Sequence, residues 1–362
     1  MIVTPDLPQE TSAWRLDWPT STGERVASAT LKSTPDDFFV DEDLSLPDEL
    51  ATGGEHLCIR LQKKGDNTDY VARQLAALSG CRHFDVGFCG LKDRHAVTRQ
   101  WFSVYRPGRE DEDAAFLAQV AQSWPVMEHH RQPRKLRRGD HRGNFFELIL
   151  RDVSGDADAV DRALTRLRDV GCPNYFGPQR FGHNGANLDR ALTMDPSKLN
   201  RRGSRNPKKP GRGRATSGSG DSKNVLYFSA ARSWLFNEVL GYRVKTGTWL
   251  ETMDGEPGSG ENQGIMVTGP LWGDGGTEAV SAQGELERAL VAEYPGLAAV
   301  FSTTRMKPER RPLRMLPGAL EWQWQGSDQL LLRFWLAPGQ YATSLLSDVF
   351  DITDATRDAG QS

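Results

Sequence analysis

A run of seven residues near the carboxyl end, Leu330–Leu336, contains six apolar residues and one arginine, and it has the length and composition of a buried β-strand. Such a strand needs neighbouring strands, because its backbone groups and its apolar side chains must both find partners. The partners must come from earlier in the sequence, so the chain returns to a sheet that its amino-terminal part begins. Since 362 residues suffice for two domains, we expect one domain to contain both ends of the chain.

Period-two and helical patterns alternate along the chain, which predicts a mixed α/β or α+β fold. Strands are predicted at Leu57, Ile59 and Leu61, at Phe84, Val86 and Phe88, at 101–105 and at 145–150. The predicted helices carry Val71, Leu75 and Leu78 between Asn67 or Thr68 and Gly80; Val160, Leu164 and Leu167; Leu235 and Val239 after Ser229; and Leu346 and Phe350 after Thr343. Breaks at 171–173 and 316–318 predict that about 174–316 is inserted into the first domain.

The composition argues against membrane-spanning, secreted and zinc-binding proteins. No run approaches the ~18 uninterrupted apolar residues of a membrane helix, and the acidic amino terminus lacks a signal-peptide pattern. The cysteines Cys58, Cys81, Cys89 and Cys172 form no C-x-x-C pair, so neither a disulfide framework nor a zinc site is indicated. We therefore expect a cytoplasmic protein.

Positive charge is concentrated in two runs, although the net charge is only −3. Residues 131–142 contain six Lys or Arg and one acid, and residues 198–223 contain nine and one. Such clusters can bind a polyanion locally. The first run is the better candidate for an ordered phosphate-binding surface, formed by Arg134, Lys135, Arg137 and Arg138. The second is rich in Gly, Ser and Pro, which predicts a disordered loop whose contact with RNA stays open.

The segment GLKDRHAVTRQW at 90–101 places one carboxylate among three potential cations, in a loop between predicted strands. Lys92, Arg94 and His95 favour an ionised Asp93, which suits a nucleophile or a base. An exposed loop of mixed charge explains these residues equally well.

A second segment, NYFGPQRFGHNG at 174–185, combines aromatic residues, glycines and an arginine. These residue types can stack on bases and hold phosphates, or they can pack into a domain junction. Dinucleotide-binding, Walker, H-E-x-x-H and G-x-S-x-G motifs are absent from both segments.

With these two segments, the chain resembles the TruD family of tRNA pseudouridine synthases. GLKDRHAVTRQWFS is similar to the catalytic signature of that family, and NYFGPQRFG to a second motif. Further matches lie at 32–38, 143–146, 333–336 and 339–344, so the resemblance covers about 28–352. It implies an α+β pseudouridine-synthase catalytic domain with a curved mixed sheet in 1–173 and 317–362. The inserted α/β TRUD domain would occupy 174–316, including the basic loop at 198–223.

The resemblance also implies an activity, the isomerisation of uridine 13 in certain tRNAs without a cofactor or a metal. By motif position, Asp93 matches the catalytic aspartate and Lys32 a basic residue near it. The positions that match uridine-contacting or base-packing residues are Phe38, Asn144, Tyr341 and Phe146. Tyr341 stands where the family often has Phe, which keeps the ring and adds a hydroxyl.

The expected partner is tRNA, of the tRNA-Glu class. We expect a monomer that binds no membrane and needs no obligatory protein partner. Two routes stay open for Asp93, covalent attack or abstraction of the C2′ proton to give a glycal-like intermediate. Two other classes also stay open. One is a non-catalytic RNA-binding or RNA-remodelling protein on the same fold, and the other is an RNA N-glycosidase that releases free uracil.

Overall fold

The computed structural model describes residues 14–44, 53–194, 219–257, 266–302 and 306–358. These residues divide into two units. The sheet unit consists of the described residues of 25–171 and 316–358, and the helical unit of those of 14–24 and 172–315. Within the described ranges, no helix is long and apolar enough to cross a membrane.

The secondary structure of the described residues alternates between strands and helices. The strands are β1 (Ala27–Leu31), β2 (Phe38–Asp43), β3 (His56–Lys64), β4 (Gly87–Phe88), β5 (Val97–Tyr105), β6 (Val126–Gln132), β7 (Gly143–Gly155), β8 (Cys172–Pro173), β9 (Thr268–Leu271), β10 (Glu309–Pro312), β11 (Arg314–Met315), β12 (Gly318–Trp324), β13 (Leu330–Leu336) and β14 (Phe350–Asp354). The helices are α1 (Thr68–Ser79), α2 (Asp113–Ala121), α3 (Ala157–Val170), α4 (Ala186–Thr193), α5 (Ser219–Lys245), α6 (Ser281–Ala292), α7 (Pro295–Phe301), α8 (Ala342–Leu346) and α9 (Ala355–Asp358).

One ten-stranded sheet organises the sheet unit. Its main path runs β12-β13-β7-β2-β5-β3-β6, while β1 pairs with β7 and β14, and β4 pairs with β5. The pairs β1–β14 and β2–β5 are parallel, and the other pairs of this sheet are antiparallel. The predicted mixed α/β class is therefore confirmed. The apolar run near the carboxyl end forms β13, which lies between β12 and β7.

Helix α1 forms where the sequence predicts it. The Asn67 side chain accepts a hydrogen bond from the Tyr70 amide at the start of the helix, and Gly80 adopts a left-handed φ of 72° at its end. The apolar face of α1 shares one core cluster with Leu57 and Leu61 of β3. This packing fixes the turn between β3 and α1.

The strand predicted from Phe84 to Phe88 is wrong in its first half. The chain forms a 3-10 turn at His83–Asp85, and only the two residues of β4 pair with β5. Arg82 donates a hydrogen bond to the Asp85 carboxylate (2.7 Å), which closes the turn. Phe84 is consequently 62% exposed rather than aligned with the buried face of the sheet.

Helix α5 begins at Ser219, ten residues before the predicted N-cap Ser229, so Ser229 lies inside the helix and does not cap it. The middle of the helix is buried almost all round, and an amphipathic pattern that would reveal its start is therefore missing. Of the basic run 198–223, residues 198–218 lie outside the described residues, whereas 219–223 belong to α5 and are not part of a loop.

Helix α8 is shorter than predicted and starts earlier. Its N-cap is Tyr341 rather than Thr343, and the helix ends at Leu346. Phe350 opens β14, where it pairs with Ala27 of β1. The spacing of the two apolar residues fits a helix, but pairing with a distant strand decides the conformation.

Amino-terminal residues pack into the helical unit. The Trp14 ring lies edge-on to Trp234 of α5, with ring centroids 5.2 Å apart. The Trp18 indole donates to Glu238 of the same helix (2.8 Å). These contacts assign 14–24 to the helical unit, whereas the sequence-based division placed all of 1–173 in the other domain.

Two aromatic residues of 174–185 also belong to the interior of the helical unit. The Asn237 side chain bonds to both backbone groups of Phe176 (2.9 Å each), and Phe176 and Phe181 are buried. Of the two interpretations of this segment, packing accounts for these two rings, because Phe176 meets Phe236 edge to face and Phe181 packs on Trp18.

Candidate active site

The loop between β4 and β5 presents a carboxylate that is hydrogen-bonded on both oxygens. Lys32 Nζ donates to Oδ2 of Asp93, and the His95 backbone amide donates to Oδ1 (3.0 Å). The Asp93 side chain keeps 38% of its surface exposed. The carboxylate is therefore held in one orientation and remains accessible to a substrate.

The neighbours of Asp93 keep it ionised. Burial raises the pKa of Asp93, but the hydrogen bond and charge of Lys32, followed by the amide and charge of His95, lower it more. The resulting pKa lies below the ordinary value of 3.8. Asp93 thus has the protonation state that a nucleophile or a base requires at neutral pH. Arg94, the other cation considered from the sequence, is exposed.

Lys32 is a buried ammonium built into the end of β1. Its side chain is only 4% exposed, and its φ of 61° costs about 1 kcal/mol or more for a non-glycine residue. Parallel pairing of β1 with β14 brings the Asp354 carboxylate to 3.8 Å from Nζ. The Phe38 ring centroid is 4.6 Å from the same atom. Two carboxylates and a ring face therefore stabilise the buried charge.

A short turn fixes Lys32 relative to Phe38. The buried Asp37 carboxylate accepts hydrogen bonds from the amide and hydroxyl of Thr34 (2.8 and 3.1 Å) and from Arg151 (2.6 and 3.0 Å). Burial raises the pKa of Asp37, but the Arg151 and Thr34 hydrogen bonds lower it below its ordinary value. This cluster anchors the turn to β7.

Buried aromatic rings extend from Lys32 along the sheet. The rings of Phe38 and Phe146 meet edge to face with centroids 6.2 Å apart, and Phe146 stacks on Phe334 at 5.3 Å. The structure therefore brings Asp93, Lys32, Phe38 and Phe146 into one chain of contacts. Tyr341 is half-buried at the N-cap of α8, after β13, and its place beside a bound base stays a prediction.

Asn144 carries an unused acceptor on the same face of the sheet as Phe146. Its Nδ2 lies 3.4 Å from His141 Nε2, while its buried Oδ1 has no hydrogen-bond partner among the described residues. Burial lowers the pKa of His141, so the ring is neutral and can accept from the amide. The preceding Gly143 is required sterically, since a Cβ there would lie 2.2 Å from the Trp335 ring.

The loop that holds Asp93 is anchored by residues that the sequence did not single out. Lys92 pairs with the fully buried Glu42 rather than with Asp93. The Lys92 amide donates to the Thr68 hydroxyl (2.9 Å), and Gln100 Nε2 donates to the Gly90 carbonyl (2.7 Å). Anchors from β2, α1 and β5 thus converge on the loop, which makes it a rigid support for the carboxylate.

A cleft of about 490 Å³ lies on the opposite face of the same strands. Its lining includes Asp41, Phe145 and Trp335, which are successive neighbours across β2, β7 and β13. Since adjacent residues of a strand point to opposite faces, this cleft is separate from the Phe146 cluster. Arg60 of the cleft is paired with Asp41 and Glu128.

The buried cysteines do not compete with Asp93 as nucleophiles. Burial raises the pKa of Cys58 to about 12, and burial together with the charge of Glu42 raises that of Cys89 as well. Both thiols are therefore protonated at neutral pH, and a thiol is a poor nucleophile. In the part of the chain that the structure describes, no group of three or more His, Cys, Asp or Glu side chains is placed to hold a metal ion.

Not all of the predicted phosphate-binding run faces solvent. Arg134, Arg137 and Arg138 are exposed, and Lys135 is half-buried. Arg131, at the start of the run, is buried in ion pairs with Asp113 (2.7 Å) and Glu110 (2.9 Å). Its charge is therefore neutralised by these ion pairs, and residues 134–138 remain as the segment that carries the four predicted phosphate-binding side chains.

The basic segment 134–138 lies beside the Asp93 loop. Just beyond it, the Gly139 amide donates to the carbonyl of Cys89 (2.9 Å), at the beginning of that loop. The Lys135 ammonium donates to the carbonyl of Phe84, in the turn before β4. The exposed positive charge is thus held next to the segment that leads into the Asp93 loop.

The fold recurs in a solved structure. A crystal structure from Methanosarcina mazei, assigned provisionally to tRNA pseudouridine synthase D, matches with a TM-score of 0.65 and 18% identity over 96% of this chain and 99% of that chain. This likeness shows that the chain has the fold of that structure, a mixed α/β fold built on a sheet.

The sequence comparisons identify the family. Residues 21–189 match the family model described as tRNA pseudouridine synthase D (TruD). The tRNA pseudouridine synthase D of Marinobacter nauticus is 57% identical over 95% of this chain and 97% of its own length. That of Xanthomonas axonopodis pv. citri is 39% identical over 94% and 96%. The chain belongs to the TruD family of tRNA pseudouridine synthases and is an isomerase, as the sequence motifs predicted.

Proposed function

We propose that this chain converts uridine to pseudouridine in tRNA, at uridine 13, with Asp93 as the reacting carboxylate. The observation that carries the proposal is the contact between Asp93 and Lys32, which leaves an ionised and half-exposed carboxylate beside buried aromatic rings. Membership of the family supports the reaction, and the motif position of Asp93 supports its role. We assign the sheet unit as the catalytic domain and 172–315 as the TRUD domain.

The isomerisation breaks the N1–C1′ bond, turns the uracil and joins C5 to C1′. The C5 hydrogen leaves as a proton and N1 gains a proton, so neither a cofactor nor a water molecule is consumed. An ionised Asp93 is competent for either route, attack on the sugar or base, or abstraction of the C2′ proton. Lys32 neutralises the carboxylate without protonating it, and it can stabilise negative charge on a leaving uracilate.

The remaining residues would hold the uridine while its base is detached. Phe38 and Phe146 provide apolar walls that exclude water, because water must not react with the sugar while the base is detached. The free Oδ1 of Asn144 can accept a hydrogen bond from an imide N–H or a ribose hydroxyl. Tyr341 would stack on the base, as its motif position suggests.

An interior uridine must leave its stack before it reaches Asp93, which costs a few kcal/mol. Phosphate contacts to Arg134, Lys135, Arg137 and Arg138 would offset this cost. We propose that these contacts are made with tRNA of the tRNA-Glu class in the cytoplasm, by a monomer that needs no protein partner.

A carbodiimide map of bulk tRNA, incubated with wild-type protein or Asp93→Asn, tests this function. We expect an adduct-dependent stop at position 13 with the wild type only. Release of free uracil would indicate an N-glycosidase instead. Salt-sensitive tRNA binding without a new stop or free uracil would indicate a non-catalytic RNA-binding protein.

A further inference from the structure

A second buried lysine contacts the Asp93 loop through a backbone carbonyl. Lys63, near the end of β3, is 2% exposed. Its Nζ donates to the backbone carbonyls of Asp66 (2.7 Å) and Asp93 (3.2 Å). One ammonium thereby joins the turn that leads into α1 to the residue that carries the reacting carboxylate.

Other contacts hold both ends of this link. The Asp66 carboxylate accepts a hydrogen bond from the Trp124 indole (2.9 Å), so the turn is fixed to the core below α1. The Asp93 carboxylate is fixed by Lys32 on its other side. Lys63 therefore supports the backbone of Asp93, while Lys32 orients its side chain.

We propose that Lys63 is a positioning residue for the isomerisation, acting through the backbone of Asp93 and not on the substrate. This inference rests on the proposed function of Asp93. Three N–H donors and a full positive charge bind carbonyl oxygens more strongly than a neutral amine does. When the ammonium is lost, the loop should keep its fold but hold the carboxylate less tightly. Misplacement by about 1 Å can reduce turnover by about 100-fold.

The charge of Lys63 titrates in an accessible range. Burial lowers its pKa most, the carboxylates of Asp66 and Asp93 raise it, and the charge of Lys92 lowers it, with a result of about 8 instead of 10.5. The facing residue on β5, Thr98, is uncharged. We therefore expect turnover to fall as the pH rises through about 8.

The stability of the protein should change in the opposite sense. Because the pKa of Lys63 is lower in the folded chain than in the unfolded chain, the folded state binds fewer protons between about 8 and 10.5. The contribution of Lys63 to the free energy of unfolding therefore rises with pH over this window. Loss of turnover in this pH window, without unfolding, distinguishes a positioning role of Lys63 from a structural role.

The test compares Lys63→Met with Lys64→Met, a matched control in which the adjacent, exposed lysine that pairs with Asp36 is changed. In Lys63→Met we expect kcat to fall about 10- to 100-fold, with KM within about threefold and without the decline near pH 8. Lys64→Met should keep the wild-type kcat and pH profile. A kcat for Lys63→Met within about threefold of wild type, or an unchanged alkaline decline, overturns the inference.

If Lys63→Met does not fold, Lys63→Arg decides, since its charge does not titrate below about pH 12. The decline near pH 8 should then be absent, and its persistence overturns the inference. If the wild type has no turnover, the proposed function fails, and hydrogen exchange of the His95 amide tests the positioning separately. Faster exchange in Lys63→Met than in Lys64→Met supports the link, and equal exchange overturns it.

Discussion

At the scale of single residues, the site is a buried cation beside a half-exposed anion. Lys32 is 4% exposed and the Asp93 side chain 38%. The cost of removing the lysine from water is offset by two carboxylates and by the Phe38 ring. The arrangement keeps Asp93 reactive as a carboxylate and prevents it from binding a proton at neutral pH.

Replacement of Lys32 by Met should reduce kcat by about 100-fold or more, since a charge close to the reacting atoms is lost. It should also raise the pKa of Asp93, because the hydrogen bond and charge that oppose the effect of burial most strongly are then lost. The wild type loses its carboxylate charge only as the pH falls through a value below 3.8, so the variant should show an acid decline at higher pH. Profiles of kcat against pH check this, and coincident profiles would contradict it.

Asn144→Ala should separate binding from stability. Its Oδ1 has no partner in the described residues, so removal of the amide should change the free energy of unfolding by less than about 1 kcal/mol. We expect kcat/KM to fall about 10-fold, because a contact to the uridine is lost. Denaturant unfolding and steady-state kinetics measure the two effects. A large loss of stability with unchanged kcat/KM would assign Asn144 to the fold.

The family motifs place Lys32 near Asp93, and Phe38 and Phe146 beside the uridine. The structure links these four residues by successive contacts, from Asp93 through Lys32 and Phe38 to Phe146. It also adds residues that the sequence gave no reason to choose. Glu42, Thr68, Gln100 and Lys63 all anchor the Asp93 loop. They lie 7 to 51 positions from Asp93, and their contacts depend on strand register and on the position of α1. Contacts of this kind cannot be predicted from a local pattern in a single sequence.

At the scale of elements, the turn between β1 and β2 determines how Lys32 and Phe38 meet. The turn is held by the buried Asp37 carboxylate, which accepts hydrogen bonds from Arg151 and Thr34. This contact ties a short loop to β7, a central strand of the sheet. Stability of the turn is therefore a condition for the geometry of the site.

Asp37→Asn should lower the free energy of unfolding by about 2 kcal/mol at neutral pH, because charge-assisted hydrogen bonds to a buried group are lost. The folded pKa of Asp37 is depressed, so its contribution is present above the ordinary value of 3.8 and is lost as the pH falls through the folded value. The difference from wild type should therefore shrink near pH 3.

Denaturant unfolding at pH 7 and pH 3 measures this difference. Asp36→Asn is the control, since the adjacent Asp36 side chain is 66% exposed and pairs only with an exposed lysine in the described contacts. It should change stability by less than about 0.5 kcal/mol. An equal effect of Asp37→Asn at both pH values would mean that the ion pair is not the cause.

Local patterns predicted some elements and failed for others for identifiable reasons. Helix α1 has an amphipathic face, an Asn67 cap and a terminal Gly80, so its local sequence is sufficient to predict the helix. The segment around Phe84 alternates like a strand, yet a local ion pair turns it. Phe350 fits a helix, yet it pairs with β1. Local patterns fail where contacts distant in sequence, or a competing turn, decide the conformation.

At the scale of the whole molecule, the sheet unit is assembled from two separate stretches of the chain, 25–171 and 316–358. The apolar β13 could be predicted to need earlier partners, and it pairs with β7. The assignment of residues 14–24 to the helical unit could not be predicted. It depends on indole contacts with α5, a helix whose own start lacks a sequence signal. The order of the chain therefore reveals the insertion but not the membership of its amino-terminal segment.

A triple variant that replaces three exposed arginines by alanine should weaken tRNA binding and reduce the slope of log Kd against log salt by about 2 to 3. The substitutions are Arg134→Ala, Arg137→Ala and Arg138→Ala. These side chains are exposed, so the fold should persist. Changing Arg162 and Arg168 on α3 of the same unit is the control for general loss of charge. Titrations at several salt concentrations measure the slope. An unchanged slope in the triple variant would place the RNA on another surface.

The most direct test follows tritium release from tRNA that carries uridine labelled at C5, with wild-type protein and with Asp93→Asn. Formation of the C5–C1′ bond must expel this hydrogen, so the wild type should release tritium without free uracil. Asp93→Asn should bind the same tRNA within a few-fold of wild type and release none. Tritium release by Asp93→Asn at the wild-type rate would contradict the assignment of Asp93 as the reacting group.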